Sequence, residues 1–226
     1  MKSKIFYVVV FAMTISISHI YGQNNNTMFG LGFGVGNSGF LADESPENNV
    51  RNIYYLTANF HFQKRISEKW AINFLPNVGL SGHKTELESS ANSATSAKSI
   101  TYLLNVAVHP KYFIKKNLYV SVGPEYSHVL RNIGQTYNKE DVFSIVNETK
   151  YFNRNNLLIS SAIGCSFKVD QTVKRSPIQF DVLWYFEFRF KRGLTNMLKK
   201  NELFNDVGSK LLAFELVTGV SFSSKK

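Results

Sequence analysis

Seven ionisable side chains share one face of predicted β-strands, where they could act on one another. They are His109, Lys111, Glu125, Asp181, Glu187, Arg189 and Glu215. Carboxylate pairs such as Asp181 and Glu187 are residue types used in general acid–base catalysis, but charges enclosed in a narrow space must pair or hold water. The pattern favours a structural ionic network inside a barrel. A narrow path for protons or ions is the alternative, and catalysis is not expected because no substrate-sized cleft is implied.

The adjacent residues Ser127 and His128 are a second candidate site. A serine and a histidine facing the outer leaflet, together with an acid, would suit a lipid-modifying enzyme. Adjacent residues on a strand point to opposite faces, so a relay between these two would need a bulge. We therefore expect Ser127 to point inward and His128 to be an interfacial histidine. No catalytic residue is assigned.

The sequence lacks the patterns of metal and cofactor sites. His61, His83 and His109 are far apart, and Cys165 is the single cysteine, so neither metal-ligand spacing nor an internal disulfide is indicated. Cys165 falls on the apolar set of its predicted strand and is expected to be a small packing residue facing lipid. No metal and no cofactor are expected.

A two-residue period of apolar side chains positions these groups. In 178–190, apolar residues occupy every even position, and Asp181, Glu187 and Arg189 lie among the odd ones. This period places the two sets on opposite faces of a strand. The alternation recurs in 28–36, 52–64, 70–81, 100–112, 118–127, 157–169, 178–190 and 212–222. It predicts an all-β fold, an eight-stranded antiparallel up-and-down transmembrane β-barrel.

The predicted connections alternate between brief and long. Brief turns are expected around 67–69, 115–117 and 170–177, and the long polar loops include 84–99, 132–154 and 194–209. This asymmetry is typical of outer-membrane barrels, whose short turns face the periplasm, so both chain ends are expected there. Charged loop residues are expected to make surface contacts: Asp43, Glu44, Arg131, Lys139, Glu140, Asp141, Lys199 and Lys200.

Aromatic residues near the strand ends indicate which face meets lipid. One group lies toward the brief turns: Trp70, Tyr112, Phe167 and Phe222. The other lies toward the long loops: Tyr54, Tyr102, Tyr126 and Phe190. Two such girdles suit the two interfaces of a bilayer. A soluble lipocalin-like barrel would turn the apolar set inward, but the rings of 178–190 would overfill a lumen of eight strands.

The N-terminus predicts export. Lys2 and Lys4 precede an apolar stretch at 5–17, and Gly22 is a plausible cleavage point, which divides the chain into a signal peptide at 1–22 and a barrel domain at 23–226. The formal net charge is +10, but the basic residues are scattered and no nucleic-acid motif accompanies them. Nucleic acid is therefore not an expected partner, whereas acidic lipid head groups are.

Four features of the sequence carry a resemblance to a known family: the signal peptide, the first strand with its alternating glycines, the tight turns and the closing segment 212–222. In these features the chain resembles the PorT-like "porin family" of outer-membrane β-barrel proteins of Bacteroidota. This resemblance covers the mature chain. It implies insertion into the outer membrane by the barrel-assembly machinery and contact with outer-membrane lipids and lipopolysaccharide. The expected function is non-enzymatic: four outside loops presented for surface interaction, or an accessory role in secretion or envelope assembly with an unidentified surface or periplasmic protein. A narrow passive channel and a lipid-modifying enzyme are the alternatives.

Overall fold

The computed structural model describes residues 27–42, 50–86, 96–138, 141–169, 180–197 and 209–224. The expected signal peptide at 1–22 lies outside these ranges, as do the loop residues Asp43, Glu44, Lys139, Glu140, Lys199 and Lys200. Within the described ranges, no helix has the length and apolar character that crossing a membrane would require.

Nine strands and one short 3-10 helix make up the secondary structure of these residues. The strands are β1 (Thr27–Ala42), β2 (Val50–Arg65), β3 (Trp70–Glu86), β4 (Ser96–Phe113), β5 (Leu118–Asn138), β6 (Asp141–Asn147), β7 (Asn155–Val169), β8 (Phe180–Gly193) and β9 (Ser209–Ser224). The 3-10 helix is Thr149–Tyr151, between β6 and β7.

Eight of these strands form a closed antiparallel ring. The sheet runs β4-β3-β2-β1-β9-β8-β7-β5-β6, and an additional pairing between β4 and β5 closes it. The first and last of the described strands, β1 and β9, lie side by side from Met28↔Ser223 to Ala42↔Ser209. β6 pairs with β5 alone among the described strands and stands outside the ring. The prediction of an eight-stranded antiparallel barrel is confirmed.

The barrel has the inverted polarity of a membrane protein. Large apolar side chains cover its outside, with Phe33 73% and Tyr54 88% exposed, whereas Asn59, Asn73 and Thr101 are buried inside. In β4 and β7, burial alternates with a period of two, as expected when one face of each strand lines an interior. Exposed apolar rings of this extent would be unstable in water but suit contact with lipid chains.

The predictions of the two loops 84–99 and 132–154 were wrong in part. β3 continues to Glu86 and β4 begins at Ser96, while 132–147 is mostly a hairpin of β5 and β6. Arg131 and Asp141 therefore lie on strands. Strands of 14 to 21 residues exceed the ~9–11 that cross a bilayer, and their projecting ends need no alternating apolar face. The predicted turn at 170–177 lies outside the described residues.

The glycines of β1 make room for side chains from β2, β8 and β9. At Gly32, a Cβ would meet the hydroxyl of Tyr185, and at Gly34 it would meet the side chains of Thr57 and Glu215. The absence of side chains along this face lets residues from these three strands fill the interior.

Candidate functional site

Glu187 is the centre of one buried polar cluster inside the barrel. Nε and Nη2 of Arg189 both donate to its Oε2, at 2.8 and 2.6 Å, and the Tyr119 hydroxyl donates to its Oε1 at 2.9 Å. Nη1 of Arg189 donates to Oδ1 of Asn59 at 2.6 Å. Glu187 and Arg189 are two residues apart on β8, so the period of the strand directs both side chains inward.

Lys111 extends this cluster toward the end of the barrel that carries the short turns 66–69 and 114–117, hereafter the short-turn end. Its Nζ donates to Oε1 of Gln63 at 3.0 Å and lies 3.9 Å from Oε1 of Glu187. The same ammonium lies 3.5 Å from the centre of the Tyr119 ring. A buried cation is thus held by an amide oxygen, an aromatic face and a carboxylate, which compensate its loss of water.

Lys191 joins two further carboxylates in a second cluster. Its Nζ lies 2.9 Å from Oε1 of Glu125 and 3.4 Å from Oε2 of Glu215. The other oxygen of Glu215 accepts a hydrogen bond from Thr57 and one at 3.4 Å from Asn59. Asn59 therefore connects the two clusters, because its Oδ1 accepts from Arg189.

The two clusters balance their charges. The buried charged side chains of the described residues are three cations and three anions: Lys111, Arg189, Lys191, Glu125, Glu187 and Glu215. We refer to these six residues as the ionic plug. Unpaired buried charges are far more costly than buried charges with hydrogen-bonded partners, so this arrangement can fill and close a lumen.

Sequence reasoning missed Lys191. The predicted strand ended at Phe190, whereas β8 continues to Gly193. Glu187 and Arg189 occupy alternate positions that point inward, and the next position in this alternation is residue 191. Continuing the pattern past Phe190 would therefore have identified Lys191. The other five members of the ionic plug were all among the candidate residues, and the structure brings them together.

The two histidines that are buried inside the barrel, His61 and His109, form hydrogen bonds with hydroxyl groups. Nε2 of His109 lies 2.7 Å from Oγ of Ser160, and its Nδ1 lies 3.4 Å from Oγ of Ser121. Nε2 of His61 lies 2.9 Å from Oγ of Ser221. Neutral histidine and serine can share such bonds, so both rings are accommodated without an ion pair.

The structure does not place Asp181 in the ionic plug. Its carboxylate lies 3.1 Å from Nζ of Lys168, and the two side chains are 30% and 52% exposed. Asp181 is the second residue of β8 and lies at the short-turn end. Its side chain is on the inward face of the strand, but at this height it reaches the rim of the barrel rather than the centre. The structure therefore places Asp181 at the rim in an ion pair with Lys168, apart from the ionic plug.

An apolar cluster lies above the ionic plug, at the end of the barrel opposite the short turns, hereafter the long-loop end. It consists of Leu103, Val129, Phe152, Leu158, Met197 and Leu211. We call these six residues the apolar cap. Backbone hydrogen bonds fix the segments that supply it: the Asn153 amide donates to the Met197 carbonyl at 2.7 Å. The sequence analysis missed the cap because Phe152 and Met197 lie in segments predicted to be polar loops.

The eight girdle aromatics all lie on outward positions of their strands. At the short-turn end, Trp70 and Tyr112 pack with their ring centroids 4.9 Å apart, and Phe222 stacks on Phe29 at 5.4 Å. Phe167 is exposed at the same end. At the long-loop end, Tyr54, Tyr102 and Tyr126 are exposed, and Phe190 packs on Phe214 at 5.2 Å.

Ser127 and His128 face opposite sides of β5. Ser127 is buried, and its Oγ has no hydrogen-bond partner among the described residues. Nδ1 of His128 lies 2.9 Å from Oδ1 of Asn155, which also accepts from the Tyr126 hydroxyl at 2.7 Å. This geometry provides no serine–histidine relay. No group of metal-ligating side chains occurs in the part of the chain that the structure describes.

Comparison with known proteins gives a family and several similar solved structures. Among solved structures, the chain resembles OprG of Pseudomonas aeruginosa, with 12% identity, a TM-score of 0.42, and 88% of this chain and 95% of that chain covered. It also resembles Ail of Yersinia pestis, solved with the heparin analogue sucrose octasulfate, with 10% identity, a TM-score of 0.39, and 87% and 99% covered.

No curated protein matches the chain significantly. The family model described as "Outer membrane protein beta-barrel domain" matches residues 21–199. Because this match covers most of the closed ring of strands, the chain belongs to the outer-membrane β-barrel family, and its place is the outer membrane.

Proposed function

We propose that this chain is a non-enzymatic barrel that presents its long-loop end at the cell surface. In this proposal the signal peptide at 1–22 directs export, and the short turns and both chain ends lie in the periplasm. The segments 43–49, 87–95 and 198–208, together with the β5–β6 hairpin, would then make contacts with surface partners. Outer-membrane lipids and lipopolysaccharide would surround the barrel.

The observation that carries the proposal is the double closure of the lumen. The ionic plug fills the middle of the barrel with charge-balanced side chains, and the apolar cap lies between it and the long-loop end. A permeating ion would have to separate buried ion pairs and then pass an apolar constriction, and both steps are costly. A barrel with a closed lumen and projecting strands is suited to presenting loops rather than to transport.

Conductance across a planar bilayer tests this proposal. We expect the purified full chain, shown to be folded by its altered gel mobility before boiling, to give no steady conductance. Phe152→Ala and Arg189→Ala, each tested alone, should also remain closed, because each leaves the other barrier in place. A steady wild-type conductance that is lost in Arg189→Ala or Glu187→Ala would contradict presentation and support a narrow channel.

The channel remains the second candidate because several buried lumen groups have no protein partner among the described residues. They include the Tyr55 hydroxyl, Oγ of Ser127 and Oδ1 of Asn73. Buried polar groups of this kind are commonly satisfied by ordered water. Water along the lumen could support proton transfer even where larger ions are excluded, so the conductance measurement should include a proton gradient.

We also propose that the chain belongs to the PorT-like barrels of Bacteroidota and that the barrel-assembly machinery inserts it. The support is the sequence: the glycine-alternating first strand and the closing segment 212–222. An accessory role in secretion or envelope assembly would then act through the short-turn end. Deleting the gene and measuring secreted protein and envelope integrity tests that role. Unchanged secretion and envelope integrity would favour the surface-contact role alone.

A further inference from the structure

The two described turns at the short-turn end, together with the adjoining residues of β2 and β4, concentrate positive charge. Residues 64–69 and 113–117 contain five Lys and Arg residues and a single carboxylate, that of Glu68. By sequence, the connection at 170–179 and the C-terminal residues 225–226 add four further cations against Asp170. Segments at the long-loop end differ, because 43–49 holds three acidic residues and no Lys or Arg, and 198–208 holds two of each sign. The basic excess of the chain therefore lies mainly at one end of the barrel.

The two turns form one groove. The Phe113 amide donates to the Lys69 carbonyl at 2.8 Å, which ties the β4–β5 turn to the β2–β3 turn. The groove between them has a volume of about 720 Å³, and its lining includes Arg65, Lys69, Lys115 and Lys116. Its cations thus come from two separate chain segments and converge on one space.

Arg65 is held in position in this groove but keeps an unused donor. Its guanidinium lies over the Phe113 ring, 4.5 Å from the centroid, and its Nη2 donates to the Glu68 carbonyl at 3.1 Å. Its Nε–H is buried and has no hydrogen-bond partner among the described residues. The fixed guanidinium places a positive charge at the groove, where it would attract a phosphate oxygen.

Apolar side chains flank the cations at the depth of the membrane interface. Ile66 and Ile114, one on each turn, are 62% and 51% exposed. The Trp70–Tyr112 pair of the aromatic girdle follows directly, since Trp70 adjoins Lys69 in sequence. Exposed isoleucines beside lysines and girdle aromatics match the boundary between acyl chains and head groups.

We propose that this groove binds the phosphate of an acidic phospholipid in the leaflet that the short-turn end faces. Arg65, Lys69, Lys115 and Lys116 would contact the head group, while Ile66 and Ile114 would lie against the upper acyl chains. An acidic protein would also be attracted by the cations, but exposed isoleucines at girdle depth favour a lipid. The inference goes beyond loop presentation and holds whether or not the lumen conducts.

Tryptophan quenching by brominated lipids tests the proposal. The two tryptophans, Trp70 and Trp184, both lie in the short-turn half of the barrel and report on the lipids beside it. The full chain is reconstituted into vesicles of phosphatidylcholine and phosphatidylglycerol, with brominated chains on one lipid or the other. We expect quenching by brominated phosphatidylglycerol to correspond to a local concentration of this lipid at least about two-fold above its mole fraction in the vesicle. This excess quenching should fall at high salt, which screens the charges.

A variant and a matched control locate the effect. Lys69→Gln/Lys115→Gln/Lys116→Gln should abolish the excess quenching. Arg131→Gln/Arg154→Gln/Arg192→Gln, which removes the same charge from exposed positions toward the long-loop end, should keep it. Heat-dependent gel mobility must show that both variants are folded. Quenching in proportion to mole fraction in the wild type, or equal loss of the excess in both triple variants, would overturn the proposal, and the former would direct attention to an acidic protein instead.

Discussion

Nζ of Lys191 on β8 lies 2.9 Å from Oε1 of Glu125 on β5, and both side chains are almost fully buried. β7 separates these two strands in the sheet, so the pair links strands that are not neighbours. Glu215 on β9 is 3.4 Å from the same ammonium. One lysine thus joins three strands through the interior.

Replacing that lysine should destabilise the barrel strongly. Lys191→Met leaves Glu125 and Glu215 without their cation, and we expect the free energy of unfolding in urea to fall by about 3–5 kcal/mol. Adding Glu125→Leu to Lys191→Met should recover part of this loss, because it removes one of the two unpaired carboxylates. A double variant as unstable as the sum of the two single variants would show that the residues do not interact.

Replacing Gly32 by alanine should be tolerated only when the hydroxyl group of Tyr185 is also removed. Its Cβ would collide with the Tyr185 hydroxyl and lie 2.9 Å from the Thr218 carbonyl oxygen, so we expect Gly32→Ala to cost about 1–3 kcal/mol. Tyr185→Phe alone should have little effect, since the hydroxyl has no hydrogen-bond partner among the described residues. The double variant should regain part of the loss in the same urea titration. No recovery would mean that the Thr218 carbonyl dominates the clash.

Glu148 should make the β5–β6 hairpin sensitive to pH. Partial burial raises the pKa of its carboxyl above the usual value, so the folded hairpin favours the protonated form. The resulting stability is complete below the pKa of an unfolded glutamate, about 4.3, and is lost as the pH rises through the raised value. Proteolysis of the hairpin in the folded barrel should therefore be slower at low pH. An acid-active protease and a neutral protease can measure this, once the cleavage rate of each has been calibrated on an unfolded peptide. Glu148→Gln should remove the difference, and an equal pH dependence in that variant would refute this assignment.

Cys165 should be protected from water-soluble reagents in vesicles. Its position on β7 lies between Leu118 and Phe186 on the outer face of the barrel. We expect a charged maleimide to label it only after unfolding. A suitable control is Asn117→Cys in a Cys165→Ser background, because position 117 is exposed in a turn and should react in the folded protein. Rapid labelling of folded Cys165 would indicate that this face contacts water.

The membrane-spanning part of the fold was predictable because lipid imposes a strict alternation on each strand. That alternation was enough to predict the eight strands of the ring. It also predicted that four charged side chains point inward: Glu125, Glu187, Arg189 and Glu215. It fails beyond the bilayer, where both faces of a strand meet water or protein. The β5–β6 hairpin and the apolar cap lie there, so Phe152 and Met197 carried no periodic signal. Contacts between strands that are not neighbours, such as Lys191 with Glu125, depend on barrel closure and shear, which one sequence does not specify.

The hydrogen bond from Thr57 to Glu215 crosses the seam where β1 and β9 pair. Thr57 is on β2, Glu215 is on β9, and their side chains meet in the space left open by Gly34 on β1. If β9 paired two residues out of register, Ala213 or Val217 would lie opposite Gly36, and the Glu215 carboxylate would move away from Thr57. Glu215 therefore specifies the register of β9, because only the aligned closure of the barrel completes its hydrogen bond with Thr57.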